Sequence, residues 1–377
     1  MPKRILMVAG ESSGDLHGAH LATALWKLDP TLEIMGVGGD RMRCAGVRIL
    51  YGIEDLGVVG VIEVFSHLKI IAKVYWMLKR LLQNKEADLL ILIDYPDFNL
   101  RLARVSKRFK IKTIYYISPQ IWAWRRGRIK VIKRLVSHMM VILPFEKKIY
   151  EEAAVPCSFV GHPLLDEIPV DFDRKGFCTR HGIDPNQPIL GILPGSRRSE
   201  IGAHMPVLLK TLPQIQKRVS NLQVIIARAP SLREEDFKNW KTAESQRIHW
   251  VSGETTEVLK ASDAVITASG TATLQAAICG APMVIIYRVS PWTYFLGRML
   301  VRVNFIGMVN VVAGKKIVPE FIQNEVTPDR IVEAICPILL DSNLRDKIRK
   351  ELNSVRETLG TPGASVRAAE IVKGYLN

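Results

Sequence analysis

A chain of 377 residues with 48% hydrophobic and 24% charged side chains is too long for one ordinary core and has globular composition throughout, which excludes a disordered or low-complexity protein. Its formal charge of +15 calls for an anionic partner: a nucleic acid, a phospholipid surface or a phosphorylated substrate. No zinc-finger spacing or aromatic RNA-binding signature accompanies that charge, and the basic residues are spread over both halves, so nucleic acid is not expected. Five scattered cysteines without a CxxC pair signal neither a disulfide framework nor a zinc site and fit a reducing cytoplasm.

The first apolar run, Ile5 to Ala9, stops at once in Gly10-Glu11-Ser12-Ser13-Gly14-Asp15 and reads as a buried strand, not a signal peptide. Strand-length runs follow at Ile34 to Val37, Leu89 to Ile93, Thr113 to Ile117 and Met139 to Leu143, separated by helical patterns. Continuous apolarity marks strands covered on both faces, as in a doubly wound parallel sheet. A second series runs through Ile189 to Leu193, Gln223 to Ala227, Ala264 to Thr267 and Met283 to Tyr287. The expected fold class is therefore α/β, with two facing Rossmann-like doubly wound domains and a cleft at the carboxyl ends of their strands. Domain one covers 1–165 and domain two 186–345, with C-terminal helices at 346–377 that pack back on domain one. No stretch approaches the roughly 18 apolar residues a transmembrane helix needs.

Chemistry is expected just after strands. In the first domain the glycines of Gly10-Glu11-Ser12-Ser13-Gly14-Asp15-Leu16-His17-Gly18 have the wrong spacing for a dinucleotide fingerprint, and Glu11 and Asp15 would repel a pyrophosphate. Glu11, Ser13 and Asp15 suit sugar hydroxyls, with a capping role for Asp15 as the alternative. Asp94, at the end of the run Leu89 to Ile93, is the candidate general base, because a carboxylate held partly desolvated at a sheet edge gains affinity for a proton. Asp97 and Asn99 are read as helix caps. Asp94-Tyr95-Pro96-Asp97 is not the D-x-D of metal-dependent transferases, so no metal is expected. Trp122 and Arg125, in Ser118-Pro119-Gln120-Ile121-Trp122-Ala123-Trp124-Arg125-Arg126, pair aromatic faces with cations, which suits a sugar phosphate or forms a packed wall.

A helix from about Val64 to Leu82 places Val64, Leu68, Ile71, Tyr75, Leu78 and Leu82 on one stripe and Lys69, Lys73, Trp76 and Arg80 opposite it. Tryptophan among cations is the composition of a membrane-facing surface, although a solvated basic face has the same pattern. In the second domain, Gly195, Ser196 and Arg197 follow a strand and open a helix, where free amides and a guanidinium can hold a diphosphate. Ser269, Gly270 and Thr271 repeat the arrangement. Neither turn is a P-loop, so the phosphates belong to a leaving group. His20, His138, His204 and His249 lack ligand spacing and read as ordinary hydrogen-bonded residues, while His17 and His162 flank glycines at the sheet edge.

Together, Val8-Ala9-Gly10-Glu11-Ser12-Ser13-Gly14-Asp15, Ile93-Asp94-Tyr95-Pro96-Asp97-Phe98-Asn99, Ser118 to Arg125, Leu143-Pro144-Phe145-Glu146, Leu193 to Arg197 and Ser269-Gly270-Thr271-Ala272 resemble the lipid A disaccharide synthase family of bacterial GT-B glycosyltransferases along nearly the whole chain. The resemblance implies an enzyme without cofactor that transfers 2,3-diacylglucosamine from its UDP derivative to the 6-hydroxyl of 2,3-diacylglucosamine 1-phosphate, inverting the anomeric centre and releasing UDP. It implies Asp94 as base, Arg197 as diphosphate ligand, and Arg288 and Asn310 as further donor-side positions. It also implies a peripheral location on the anionic cytoplasmic face of the inner membrane and raises a homodimer. Where relatives carry a glutamate for the ribose hydroxyls this chain has Gln275, which can still accept one hydroxyl proton. Two rival readings are a UDP-sugar epimerase of the same fold and a non-catalytic protein that binds anionic lipid. Acyl-chain dependence separates the first, and the second leaves both phosphate turns without a purpose.

Overall fold

The computed structural model describes residues 2–53, 64–240, 248–300 and 303–376, with residues 64–68, 296, 297, 299 and 300 described by backbone alone. The chain forms two compact units, Met1–Asp166 with Leu359–Asn377, and Glu167–Thr358.

In the first unit, β1 (Arg4–Ala9), β2 (Glu33–Gly38), β3 (Arg48–Gly52), β4 (Leu89–Ile93), β5 (Lys112–Tyr116), β6 (His138–Val141) and β7 (Cys157–Phe159) form a parallel sheet in the order β3-β2-β1-β4-β5-β6-β7. Side-chain alternation feeds two cores. Ile5, Met7 and Ala9 of β1 join Leu89, Ile91 and Ile93 of β4 on one face, whereas Leu6, Val8, Leu90 and Leu92 fill the other. The first face is covered by α1 (Ser12–Leu28) and, from the far end of the chain, by α16 (Ala364–Leu376), whose Ala368, Ala369 and Val372 are fully buried. The second face is covered by α3 (Val64–Gln83) and α4 (Pro96–Arg108).

The second unit repeats the plan. Its strands β8 (Ile189–Leu193), β9 (Gln223–Arg228), β10 (Ile248–Ser252), β11 (Ala264–Ala268), β12 (Met283–Tyr287) and β13 (Glu320–Ile322) run in the order β10-β9-β8-β11-β12-β13, all parallel. Helices α9 (Arg198–Arg218), α11 (Thr271–Ile278) and α14 (Pro328–Leu340) follow strands of this sheet. The expected C-terminal segment 346–377 is divided between the units, because α15 (Ser342–Thr358) belongs to the second and α16 to the first. The residues between the two expected domains also fold onto the second unit. There Arg174 donates to the carbonyls of Ala261 and Pro185 and pairs with Asp263 at 3.2 Å.

Strands β3, β7, β10 and β13, which no apolar run announced, are the four sheet edges. Edge strands lack a covering layer on one side and have mixed, half-buried residues, so the continuous run that marks a central strand is missing.

Candidate functional site

Strand order reverses once in each sheet, between β1 and β4 in the first unit and between β8 and β11 in the second. Loops that leave adjacent strands in opposite directions open a crevice there, the usual ligand position of open α/β sheets. The motif at 10–18 follows β1, Asp94 follows β4, Gly195 to Arg197 follow β8, and Ser269 to Thr271 follow β11. Both pairs of motifs therefore occupy the switch points.

Asp94 and Tyr95 leave β4 in the left-handed region, with φ of 46° and 47°, which costs roughly 1–2 kcal/mol per residue and needs support from the surroundings. Three bonds supply it. Tyr115 Oη donates to the Asp94 carbonyl, and buried Asn99 donates through Nδ2 to the carbonyls of Asp94 (2.7 Å) and Ile93 (3.2 Å). The Asp94 side chain is thereby held half-buried at the sheet edge. Burial first, and the charge of Glu11 second, raise its pKa to about 6. Glu11 is exposed at the start of α1, and its side chain makes no capping bond. The pair thus has the environment of a base poised near neutrality.

Other members of the first-unit set have different tasks. Asp15, expected with either the acceptor or a cap, is only 4% exposed and accepts from the backbone amides of Gly39 (2.6 Å), Arg41 (3.1 Å) and Met42 (3.1 Å). It fastens the start of α2 (Asp40–Cys44). Asp97 and Asn99 do not cap α4, because Pro96 starts that helix and Tyr95 takes the cap position. Asp97 instead pairs with Arg125 at 3.1 Å and with Arg128, and both guanidiniums lie over the Trp124 ring. Arg125 remains exposed, as does Ser13. Trp122 donates through Nε1 to Glu146 at 3.2 Å and meets Phe145 edge-on. Glu146 is buried, its Oε2 has no hydrogen-bond partner, and burial pushes its pKa up to about 8. His17 and His162 are pushed down to about 4, mainly by burial, so both rings are neutral at pH 7.

In the second unit a cavity of about 360 Å³ opens between the two predicted phosphate turns. Gly195, Ser196, Arg197, Ser269, Gly270, Thr271 and Gln275 all line it. Gly195 (φ 133°) and Gly270 (φ 146°) hold backbones that favour glycine. A Cβ at Gly195 would also stand 2.5 Å from Glu200 Oε2. That carboxylate accepts from Ser196 N–H at 2.8 Å and lies 3.7 Å from Arg197, so the turn already cradles an anionic group. Gln275 donates to Thr256 Oγ1 at 3.0 Å, and Ser269 Oγ donates to the Ile306 carbonyl at 2.8 Å.

Asn310, expected at a donor-side position, bonds within the fold. It is fully buried, donates to the Val318 carbonyl and to Glu320, and accepts from the amides of Ile317 and Val318. In this structure its amide bonds the segment Ile317–Val318 and Glu320, the first residue of β13. Arg288 is exposed just beyond β12 and does not line the cavity.

On α3, Lys69, Lys73, Trp76 and Arg80 are exposed, Trp76 to 61%, while Leu78 and Leu82 are fully buried; the side chains of Val64 and Leu68 lie outside the described residues. Lys79 stands 4.1 Å over the Trp76 ring. The sequence reading missed a second aromatic surface on α12 (Pro291–Leu300), where Trp292 is 79% and Phe295 59% exposed beside exposed Arg298. Among the described residues no helix is long and apolar enough to cross a membrane.

The model of the lipid-A-disaccharide synthetase family matches residues 5–373. The lipid-A-disaccharide synthase of Geobacter sulfurreducens is 47% identical over 369 residues, spanning 98% of this chain and 96% of the relative. Among solved structures, the glycosyltransferase of kitacinnamycin superposes with a TM-score of 0.67 at 15% identity over 100% of both chains. The UDP-GlcNAc 2-epimerase of Methanocaldococcus jannaschii, solved with UDP-GlcNAc and UDP, gives 0.62 at 12% over 99% of this chain and 100% of its own. At such identities the structures share the fold alone, and transferase and epimerase share it equally.

Proposed function

The chain belongs to the lipid-A-disaccharide synthetase family, and from that premise we propose that it transfers 2,3-diacylglucosamine from UDP-2,3-diacylglucosamine to 2,3-diacylglucosamine 1-phosphate by a direct, inverting displacement without a metal. Asp94 takes the proton of the acceptor 6-hydroxyl as that oxygen bonds to the anomeric carbon of the donor. The bond from that carbon to the β-phosphate oxygen breaks on the opposite face, and UDP leaves with the bonding pair. The observation that carries this reading is Asp94 itself, a half-buried carboxylate at a switch point whose pKa is raised to about 6. It is ionised at pH 7 and still basic enough to accept a proton.

Arg197 and the free amides at the starts of α9 and α11 supply positive potential for the charge growing on the leaving UDP. Gln275 would meet the nucleotide with one amide oxygen, weaker than a carboxylate toward two ribose hydroxyls. Trp122 and Arg125 would flank the acceptor's sugar phosphate. The acylated substrates lie in a membrane, and the exposed tryptophan and cations of α3, with Trp292 and Phe295 on α12, have the chemistry of an interfacial surface on an anionic leaflet.

The test is UDP release from UDP-2,3-diacylglucosamine in detergent, with and without the acceptor, with excess EDTA, and with Asp94→Ala. Release that needs the acceptor, ignores EDTA and disappears in Asp94→Ala, with a β-linked product by NMR, supports the reading. Release without acceptor, or full activity in Asp94→Ala, overturns the assigned base and mechanism.

A further inference from the structure

His204 lies on α9, two turns beyond Arg197, and is fully buried. Its Nδ1 is 2.7 Å from the Pro194 carbonyl oxygen, and its Nε2 is 2.9 Å from the backbone nitrogen of Arg288. A carbonyl can only accept and an amide N–H can only donate, so Nδ1 carries the proton and Nε2 offers its lone pair. The ring is therefore neutral in one fixed tautomer. Pro194 is the residue before Gly195, Ser196 and Arg197. Arg288 lies one residue beyond the last β12 position paired with β13, so the ladder gives its N–H no partner. The next residue, Val289, is held through both backbone groups by the Gln323 side chain.

We infer that His204 is a positioning residue that ties the Arg197 turn and the Arg288 segment into one rigid anion-binding edge for the donor's diphosphate. This rests on the donor-site reading of the second unit. A flexible segment after β12 would present Arg288 in many positions and lose affinity to ordering entropy, whereas one imidazole bridging two backbones fixes the main chain that carries each arginine before the ligand arrives. The charged groups that bear on the ring are Glu200 from its own helix and Arg288 from the β12 segment, and burial, the largest influence, lowers its pKa. Protonation of Nε2 would replace the acceptor of the Arg288 N–H with a second donor and break the tie between the Arg197 turn and Arg288, leaving the segment held only at Val289 by Gln323.

The two ring nitrogens can be separated by substitution. His204→Asn keeps an amide N–H near the Nδ1 position for Pro194 and leaves Arg288 unpartnered. His204→Gln places an amide oxygen near Nε2 for Arg288 and gives up Pro194. The probe is UDP-N-acetylglucosamine, whose diphosphate diester keeps its charge over the range used, with binding measured by calorimetry. Loss of one buried hydrogen-bond partner predicts that His204→Asn binds about 5- to 100-fold more weakly, while His204→Gln stays within about threefold of the parent. In the full reaction His204→Asn raises KM for the donor and leaves kcat nearly unchanged. Parent affinity falls in mild acid, below the ordinary histidine range, and His204→Gln lacks that step.

A purely packing role predicts instead that both variants lower Tm alike and leave affinity unchanged, and that the parent shows no acid step; any of these results overturns the inference. Arg197→Ala and Arg288→Ala serve as references. If neither weakens binding, the donor-site reading fails. If they do and His204→Asn does not, the positioning role alone fails.

Discussion

Gly10 faces the ring of Tyr95 so closely that a Cβ on it would stand 2.3 Å from Tyr95 Cγ and Cδ1. The loop that bears Glu11 and the left-handed turn that bears Asp94 are therefore packed as one piece. An alanine at 10 must push the ring aside, and the adjoining Asp94 backbone moves with it. Gly10→Ala is expected to lower kcat at least about tenfold while costing about 1–3 kcal/mol of stability, as overpacking does. Adding Tyr95→Ala removes the clash, so a double-mutant cycle read by thermal unfolding should show strong coupling. Additive effects would mean that the two loops move independently.

Asp94 carries a second consequence, for pH. Its pKa rises from the usual 3.8 to about 6, so the folded state binds this proton more tightly than the unfolded chain does. The carboxyl destabilises nothing well below its unfolded value of 3.8, where it is protonated in both states. Stability falls as pH rises through 6, and the total is on the order of 3 kcal/mol. Asp94→Asn should therefore be inactive yet more stable than the parent at about pH 7.5, with the difference shrinking to nothing only well below the unfolded value of 3.8. In the parent, kcat/KM should drop tenfold per unit below about pH 6. Glu11→Gln removes the second cause of the shift, and the acid limb should move to lower pH. An unmoved limb would assign it to another group.

Much of this arrangement was legible in the amino-acid sequence because the switch-point strands are the most buried ones. Their largely apolar runs, Ile5 to Ala9, Leu89 to Ile93, Ile189 to Leu193 and Ala264 to Thr267, mark where each loop begins, and the loops carry the polar motifs. What stayed hidden is which polar residue of a loop faces a ligand and which is consumed by the fold. Asp15 looks like a ligand contact by residue type and Asn310 by the family resemblance, yet both accept from backbone amides, 24 and 7 or 8 residues away in sequence, and no periodicity reports such a meeting. His204 reads correctly as a hydrogen-bonded residue, but its two partners were hidden for the same reason, since they lie on segments that only the folded sheet brings together.

Arg197 is the cavity residue with the most to contribute to a diphosphate, and it is exposed and only loosely paired with Glu200. Removing a charge-assisted hydrogen bond costs about 1.5–3 kcal/mol, so Arg197→Ala should weaken UDP binding roughly 10- to 150-fold. Glu200→Gln should do the opposite of a simple charge argument. It removes a negative charge from the turn, but it also weakens the bond that orients Ser196 N–H, so weaker UDP binding is expected, and tighter binding would show that repulsion dominates. Arg197→Lys keeps the charge without the fork and is expected to recover only part of the loss. Full recovery would reduce the arginine to a point charge.

Glu146 offers the last test, because its burial makes a claim about the wall that carries Trp122. Its pKa is pushed up to about 8, first by burial, so at pH 7 it is held mainly as the neutral acid beside Trp122 Nε1. A raised carboxyl contributes most below its unfolded value near 4.5 and progressively less as pH climbs to 8. Above that pH a buried anion with an unpartnered Oε2 must be tolerated or expelled. The parent should therefore lose stability between about pH 5 and pH 8, and tryptophan emission should shift to the red as the Trp122 contact opens. Glu146→Gln keeps the shape and a hydrogen-bond acceptor but cannot ionise, so its stability should be flatter across that range and its emission constant. A variant whose profile parallels the parent's would place the titration elsewhere and leave Glu146 ionised in the folded protein.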